Sequence, residues 1–387
     1  PLDIYIKATE LTKKGLGFPQ YCNDDVIIPA LLKLGYDKED AINYSIAACW
    51  EVITLNSHDI VNLRCMNFPL AVRTATVEKL KECNSFEEYM TAVENSVIKM
   101  VEEKIRLSNQ DHDWFAYGNA FGSIFIENCR LTGKTTNQMG AKYNNFGIHG
   151  LGIAPAVDAV AGVYQCVFTD KSITKDELID ALESNFTNKE NIRKLLLSAP
   201  KMGNNDKITN EIANRILSVY SKHLNGVPNS VGGVFRAGTG GPHFYVWLAK
   251  DVGATSDGRL AGDPFPASFS PSIGVKTDGP LSVIKTFSNF DMTDVCNGGP
   301  LTMEIHDNVF RNQMGINKVA TLVSSFIKLG GHQLQINAVC REKLLDAQKH
   351  PEKYPDLIVR VWGWSGYFNE LDVCFQNHVI SRLHYQL

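Results

Sequence analysis

The chain has 387 residues, 44% hydrophobic and 21% charged, which suits a soluble globular protein of one large domain or two ordinary ones. Its net charge of -4 argues against a general nucleic-acid binder. No apolar run reaches the ~18 residues that a membrane span needs.

The chain starts Pro1-Leu2-Asp3-Ile4, without an initiator Met and without a charged segment leading into an apolar one. No signal peptide is expected, and the chain reads as processed or as a piece of something longer. Apolar residues at helical spacing predict helices over 26–34 and 38–49, the second preceded by a candidate cap, Asp37. A long amphipathic stretch runs over 78–106. The run Gly147-Ile148-His149-Gly150-Leu151-Gly152 reads as a loop feeding a small-residue helix over 154–167. Thr174 and Glu177 have the spacing of a capping box, and another helix is expected over 211–223.

From Val227 to Pro280 the composition turns to Gly, Pro, Ser and Thr, with turn signals at Gly232-Gly233, Gly240-Gly241-Pro242 and Asp257-Gly258. A tract that long is not an idle connector, and a domain boundary is placed near 255. Beyond it the pattern predicts a strand over 281–287, a helix over 317–329, a strand over 333–339, a helix over 341–350 and a strand over 357–362. The alternation points to an α/β architecture.

The cysteines number 9, an odd count with no C-x-x-C pair. They read as reduced thiols in the cytosol. The histidines form no H-x-H or H-E-x-x-H pattern, so no metal site is expected.

Two segments carry chemistry. Arg360-Val361-Trp362-Gly363-Trp364-Ser365-Gly366-Tyr367-Phe368 breaks an apolar strand with glycine. Such a glycine can be a simple bulge. It can also hold a Cα radical, delocalised between an amide nitrogen and a carbonyl, where any side chain would crowd the planar centre. The second segment is Ala47-Ala48-Cys49-Trp50-Glu51. A lone cysteine is commonly a small buried apolar residue. Here a carboxylate, Glu51, lies two positions on and can serve as general acid or base.

The glycine segment resembles the radical signature of the glycyl radical enzymes, with Arg360, Val361, Gly363 and Phe368 in the matching positions. Trp362 replaces a small residue and Trp364 the usual Tyr. Cys49 and Glu51 resemble the family's Cys-x-Glu loop, with Ala48 and Val52 where Gly and Pro are usual. Other matching segments cover the chain from end to end: Phe18 to Ile28, Lys142 to Gly147, Ala254-Thr255-Ser256-Asp257-Gly258-Arg259 with Ala261-Gly262, Gly330 to Asn337 and Asp346 to Pro355.

The resemblance implies part of a ten-stranded α/β barrel, its C-terminal half-barrel plus a glycyl radical domain, with many surrounding helices. Residues 1–254 would be barrel with the cysteine loop, and 255–387 the radical domain. The first half-barrel has no sequence here. The resemblance implies a radical lyase (a dehydratase, a decarboxylase or a C–C, C–N or C–S lyase) acting on a small organic molecule. Gly363 would carry the radical, Cys49 would relay it as a thiyl, and Glu51 would move protons. His58 and Asp59 resemble the His-Asp pair of the diol dehydratases but come several residues early. They are either substrate ligands or an exposed pair capping a helix from Ile60. Trp50, Trp362 and Trp364 either wall a pocket or pack in the core.

A separate activating enzyme with S-adenosylmethionine and an iron–sulfur cluster would generate the radical, since this chain has no clustered cysteines. No other metal or organic cofactor is implied. The complete enzyme is expected to be a cytoplasmic, oxygen-sensitive homodimer that binds no nucleic acid or membrane. Two alternatives remain. One is acyl transfer of the formate acetyltransferase kind, which uses two adjacent cysteines, whereas Cys49 is flanked by Ala48 and Trp50. The other is an inactive fragment or a non-catalytic spare radical domain, although spare domains lack the cysteine loop.

Overall fold

The computed structural model describes residues 2–47, 49–110, 118–241, 244–382 and 384–385. Ala48 of the cysteine segment and Pro242 of the second turn signal lie outside them. The strands in chain order are β1 (Tyr21–Cys22), β2 (Ser45–Ile46), β3 (Val52–Ile53), β4 (Ile60–Asn67), β5 (Phe146–Leu151), β6 (Phe235–Gly238), β7 (Leu301–His306), β8 (Gln333–Val339), β9 (Ile358–Arg360), β10 (Ser365–Tyr367) and β11 (His384–Tyr385). β4, β5 and β6 make a parallel three-stranded sheet with β5 in the middle. β7 and β8 pair in parallel, with β1 antiparallel on β8 and β11 parallel on β7. Two antiparallel hairpins, β2–β3 and β9–β10, complete the set. The architecture is the expected mixed α/β.

Side chains alternate across each strand. Phe146 and Ile148 of β5, Phe235 and Ala237 of β6, Met303 of β7 and Leu334 and Ile336 of β8 enter one apolar cluster, shared with the helices Ile153–Val163 and Lys207–Leu224. Each large side chain buried there contributes about 1.5–3 kcal/mol. The alternate positions carry His149, Arg236, Glu304, Gln333, Gln335 and Asn337, all buried as well. Both faces of these strands are therefore covered, one apolar and one polar.

Several expectations need correction. The helix after Asp37 covers only Lys38–Ile42, and Ser45–Ile46 is a strand because it pairs with Val52–Ile53. Asp37 stands at the cap position without capping, since its carboxylate instead meets Lys142 Nζ at 2.6 Å. The stretch over 78–106 is two helices, Phe68–Lys79 and Phe86–Gln110, separated by a 3-10 turn. The break is made by Ser85, whose hydroxyl accepts from the Glu88 N–H, while Glu88 accepts from the Asn84 N–H at 2.6 Å.

The glycine run after 146 is strand β5, not a loop. A Cβ at Gly147 would lie 2.1 Å from the Val61 carbonyl oxygen, so glycine there permits close approach to β4. The strand expected over 281–287 is the helix Pro280–Phe287. Its buried Val283, Ile284 and Phe287 have helical spacing, and Pro280 opens its first turn. The predicted strand over 333–339 and the capping box at Thr174 are present as expected.

Candidate active site

Cys49 lies at the tip of the β2–β3 hairpin. Beyond the Ile46–Val52 pair, the Ala47 N–H donates to the Glu51 carbonyl at 2.9 Å and the Trp50 N–H to the Ala47 carbonyl at 3.0 Å. Such loops close with a residue in the left-handed region, normally glycine. Here that residue is Trp50, with φ 71°. A bulky side chain at positive φ is strained unless its surroundings hold it. Trp50 is fully buried, its Nε1 donates to Gln335 Oε1 at 2.8 Å, and its carbonyl accepts from Gln333 Nε2 at 3.0 Å.

Gly363 lies at the tip of the other hairpin. Arg360 pairs with Ser365, and the Val361 N–H donates to the Trp364 carbonyl at 3.1 Å. Trp362 and Gly363 are thus the central residues of the turn. Gly363 has φ 68°, the sign that the second central position of a type II turn requires. It is buried. The backbone alone thus accounts for glycine here, and burial keeps the Cα away from solvent.

The two tips share one apolar cluster. Trp50 and Trp362 are fully buried in it, and half-buried Cys49 packs against it. Trp362 also lies over Gly240, where a Cβ would come within 2.8 Å of the indole. These two tryptophans therefore serve the core. Trp364 is only half-buried and lies over Gly366.

The electrostatics fit hydrogen transfer. Burial, and then the nearby Glu51, push the Cys49 thiol up to about 11, against the pull of Arg360. At neutral pH the sulfur keeps its hydrogen. Glu51 is 3% exposed, and burial raises its carboxyl above the usual range, against its own backbone N–H and Arg236.

His58 and Asp59 do not cap a helix, because Ile60 opens strand β4. Asp59 is enclosed. Its Oδ2 accepts from Tyr36 at 2.5 Å and lies 3.4 Å from Arg236, and its Oδ1 accepts from the Asn145 N–H at 2.8 Å. That is a structural duty. His58 is half-buried, and burial lowers its pKa.

Among the described residues one group could hold a metal ion, His306, Cys340 and Glu342, with ligand atoms within 4.8 Å of one another. Its His306 Nδ1 accepts from the Asn308 N–H, and Cys340 Sγ donates to Glu342 Oε2 at 3.2 Å. A cavity of about 1390 Å³ bordered by Asp158, Lys201 and Arg259 includes neither Cys49 nor Gly363.

The sequence reading missed Arg236, which bonds the Val52 carbonyl, Gln333 and Gln335, which bond Trp50, Asn337 and Glu304, which continue from Gln335, and Arg382, which bonds the Arg360 and Val361 carbonyls. Their signal was the strict alternation Gln333-Leu334-Gln335-Ile336-Asn337, which ordinarily marks a strand with one wet face.

Residues 1–249 match the family pattern described as pyruvate formate lyase-like, and residues 265–369 match the glycine radical pattern. The chain is 30% identical to the trans-4-hydroxy-L-proline dehydratase of Clostridioides difficile, over 97% of this chain and 50% of that protein. It is 29% identical to an isethionate sulfite-lyase of Oleidesulfovibrio alaskensis, over 97% of this chain and 48% of that one. The glycerol-bound B12-independent glycerol dehydratase of Clostridium butyricum superposes with a TM-score of 0.95 at 32% identity, covering 100% of this chain and 51% of that structure. The chain spans about half the length of the relatives that it matches.

Proposed function

This chain belongs to the pyruvate formate lyase-like glycyl radical enzymes, and on that premise we propose that it forms the radical-bearing part of a lyase acting on a small organic substrate. The observation that carries the reading is one buried cluster shared by the neighbours of both hairpin tips, Trp50 beside Cys49 and Trp362 beside Gly363. Glu51, near enough to Cys49 to help raise its thiol pKa, has a raised pKa itself.

A radical at Gly363 supplies the unpaired electron. Cys49 gives its hydrogen to the Gly363 Cα, so that an S–H bond breaks, a C–H bond forms and the unpaired electron passes to sulfur. The sulfur then takes hydrogen from a substrate carbon that bears a hydroxyl, which becomes more acidic. Glu51 accepts that proton and delivers it to the departing group, and the hydrogen on Cys49 returns to the product. A similar chain in Clostridioides difficile is a hydroxyproline dehydratase, and a similar structure is a glycerol dehydratase. Loss of water from a small hydroxylated molecule is therefore the first class to test. Acyl transfer lacks its second thiol, because Ala48 and Trp50 flank Cys49.

A separate activating enzyme with S-adenosylmethionine and an iron–sulfur cluster removes the Gly363 hydrogen. The remaining half of the pocket, and a homodimer, belong to the complete enzyme. We divide the chain into barrel (1–254) and radical domain (255–387), a reading supported by family matches over residues 1–249 and 265–369. The free cysteines suit a reducing, cytoplasmic setting. Among the described residues no helix is long and apolar enough to cross a membrane.

The test is anaerobic charging of the complete enzyme by such an activating enzyme, followed by electron paramagnetic resonance. A doublet from one α-hydrogen is expected, absent in Gly363→Ala. A charged wild type without that signal overturns the reading.

A further inference from the structure

A continuous buried chain of hydrogen bonds joins the two hairpin tips. Trp50 Nε1 donates to Gln335 Oε1 at 2.8 Å, and Gln335 Nε2 donates to Asn337 Oδ1 at 3.3 Å. Asn337 Nδ2 then donates to Glu304 Oε1 at 2.8 Å. From the other side Arg382 Nη1 donates to the same Glu304 oxygen at 2.9 Å and to the Arg360 carbonyl at 2.9 Å. Arg382 Nη2 donates to the Val361 carbonyl. Those carbonyls stand three and two positions before Gly363. Every donor between Trp50 and Glu304 points toward the one carboxylate, so the bonds polarise one another toward a negative charge.

We propose that Gln335, Asn337, Glu304 and Arg382 are positioning residues that fix the Gly363 turn against the Cys49 loop. The proposal rests on reading Cys49 and Gly363 as partners in hydrogen transfer. Gln335 and Asn337 lie on β8 and Glu304 on β7, adjacent parallel strands with Glu304 opposite Asn337. The relay is therefore mounted on a rigid sheet, while the tips that it holds are short loops. Burial makes it costly to break. Arg382 and Glu304 have side chains only 7% and 2% exposed, and Glu304 Oε2 is buried without a partner among the described residues. Losing either neighbour leaves a charge poorly compensated in the interior. Hydrogen transfer falls off steeply with separation, and a displacement of ~1 Å can cost about 100-fold in rate.

The test compares wild type with Asn337→Leu, which cuts the relay at its middle without touching either tip. Gln335→Leu is the second variant should the first not fold. Two readouts are taken. On the uncharged protein, amide hydrogen–deuterium exchange is followed over 45–53 and 358–367, with 207–224 as the control. This needs no radical. On the complete enzyme, charged anaerobically, the Gly363 radical is placed in D2O. The rate at which its doublet collapses to a singlet reports hydrogen passing through Cys49. The expected result is faster amide exchange in both hairpins, an unchanged control, undiminished radical content and collapse slowed by about tenfold or more. Collapse at the wild-type rate overturns the proposal, whether or not the hairpins loosen. A wild type whose collapse does not depend on Cys49 overturns the underlying reading and the relay with it, and the amide data separate that failure from a relay that holds nothing.

Discussion

Trp50 and Trp362, one residue after Cys49 and one before Gly363, are both fully buried in a single apolar cluster. Each indole anchors the turn on which a residue proposed to react, Cys49 or Gly363, sits. The separation of sulfur and Cα is therefore set by core packing as well as by the loops themselves.

Cys49→Ala removes the proposed hydrogen carrier and little else. In the complete enzyme the radical at Gly363 forms as in wild type, while exchange of its α-hydrogen with D2O and substrate turnover are both lost. Residual turnover above the uncatalysed rate speaks against Cys49 as the relay.

Glu51→Gln keeps the radical and its hydrogen exchange and lowers turnover by about 10²–10⁴-fold. It also reports on stability. The folded-state pKa of Glu51 is raised, mainly by burial, so the wild type loses stability as pH climbs from the unfolded pKa through the folded one. The variant escapes that loss. Its melting temperature exceeds the wild type's at pH 7, and the gap closes at pH 4.

Trp50→Phe keeps an aromatic ring and the strained backbone but deletes Nε1 with the rest of the pyrrole ring, leaving a small cavity as well. Gln335 Oε1 is left buried without its donor, at a cost of about 1–3 kcal/mol. Denaturant unfolding measures it, and no loss of stability contradicts the bond.

Gly363→Ala places a Cβ on a residue with φ 68°, which costs roughly 1–2 kcal/mol apart from any chemistry. The loss is read as a lower melting temperature in the uncharged protein.

Asp59→Ala separates two explanations of His58-Asp59. Asp59 and Arg236 both have side chains 0% exposed. Removing the carboxylate strands a buried guanidinium and costs about 3–5 kcal/mol. A substrate ligand would instead raise KM and leave the denaturation midpoint in place.

The sequence alone carried the family and the residues proposed to react. Gly363 in its Arg-Val-x-Gly setting and Cys49 with Glu51 two positions on are local patterns, and radical chemistry accepts few substitutes for glycine or a thiol. It also determined those elements whose signal is local, such as the capping box at Thr174 and the strand Gln333–Val339. Tertiary structure decided the rest. Whether 43–49 continues a helix or turns back as a hairpin depends on Val52, whose N–H bonds the Asn297 carbonyl at 3.3 Å. Asn297 is far away in the chain, and no local propensity reports it. The alternation in β8 reads as one wet face, yet that face is buried against Trp50 and Glu304. Spacing in sequence tells which residues share a face of a strand. Only the packing of other segments against that face decides whether the partner of a polar side chain is water, a tryptophan or a carboxylate.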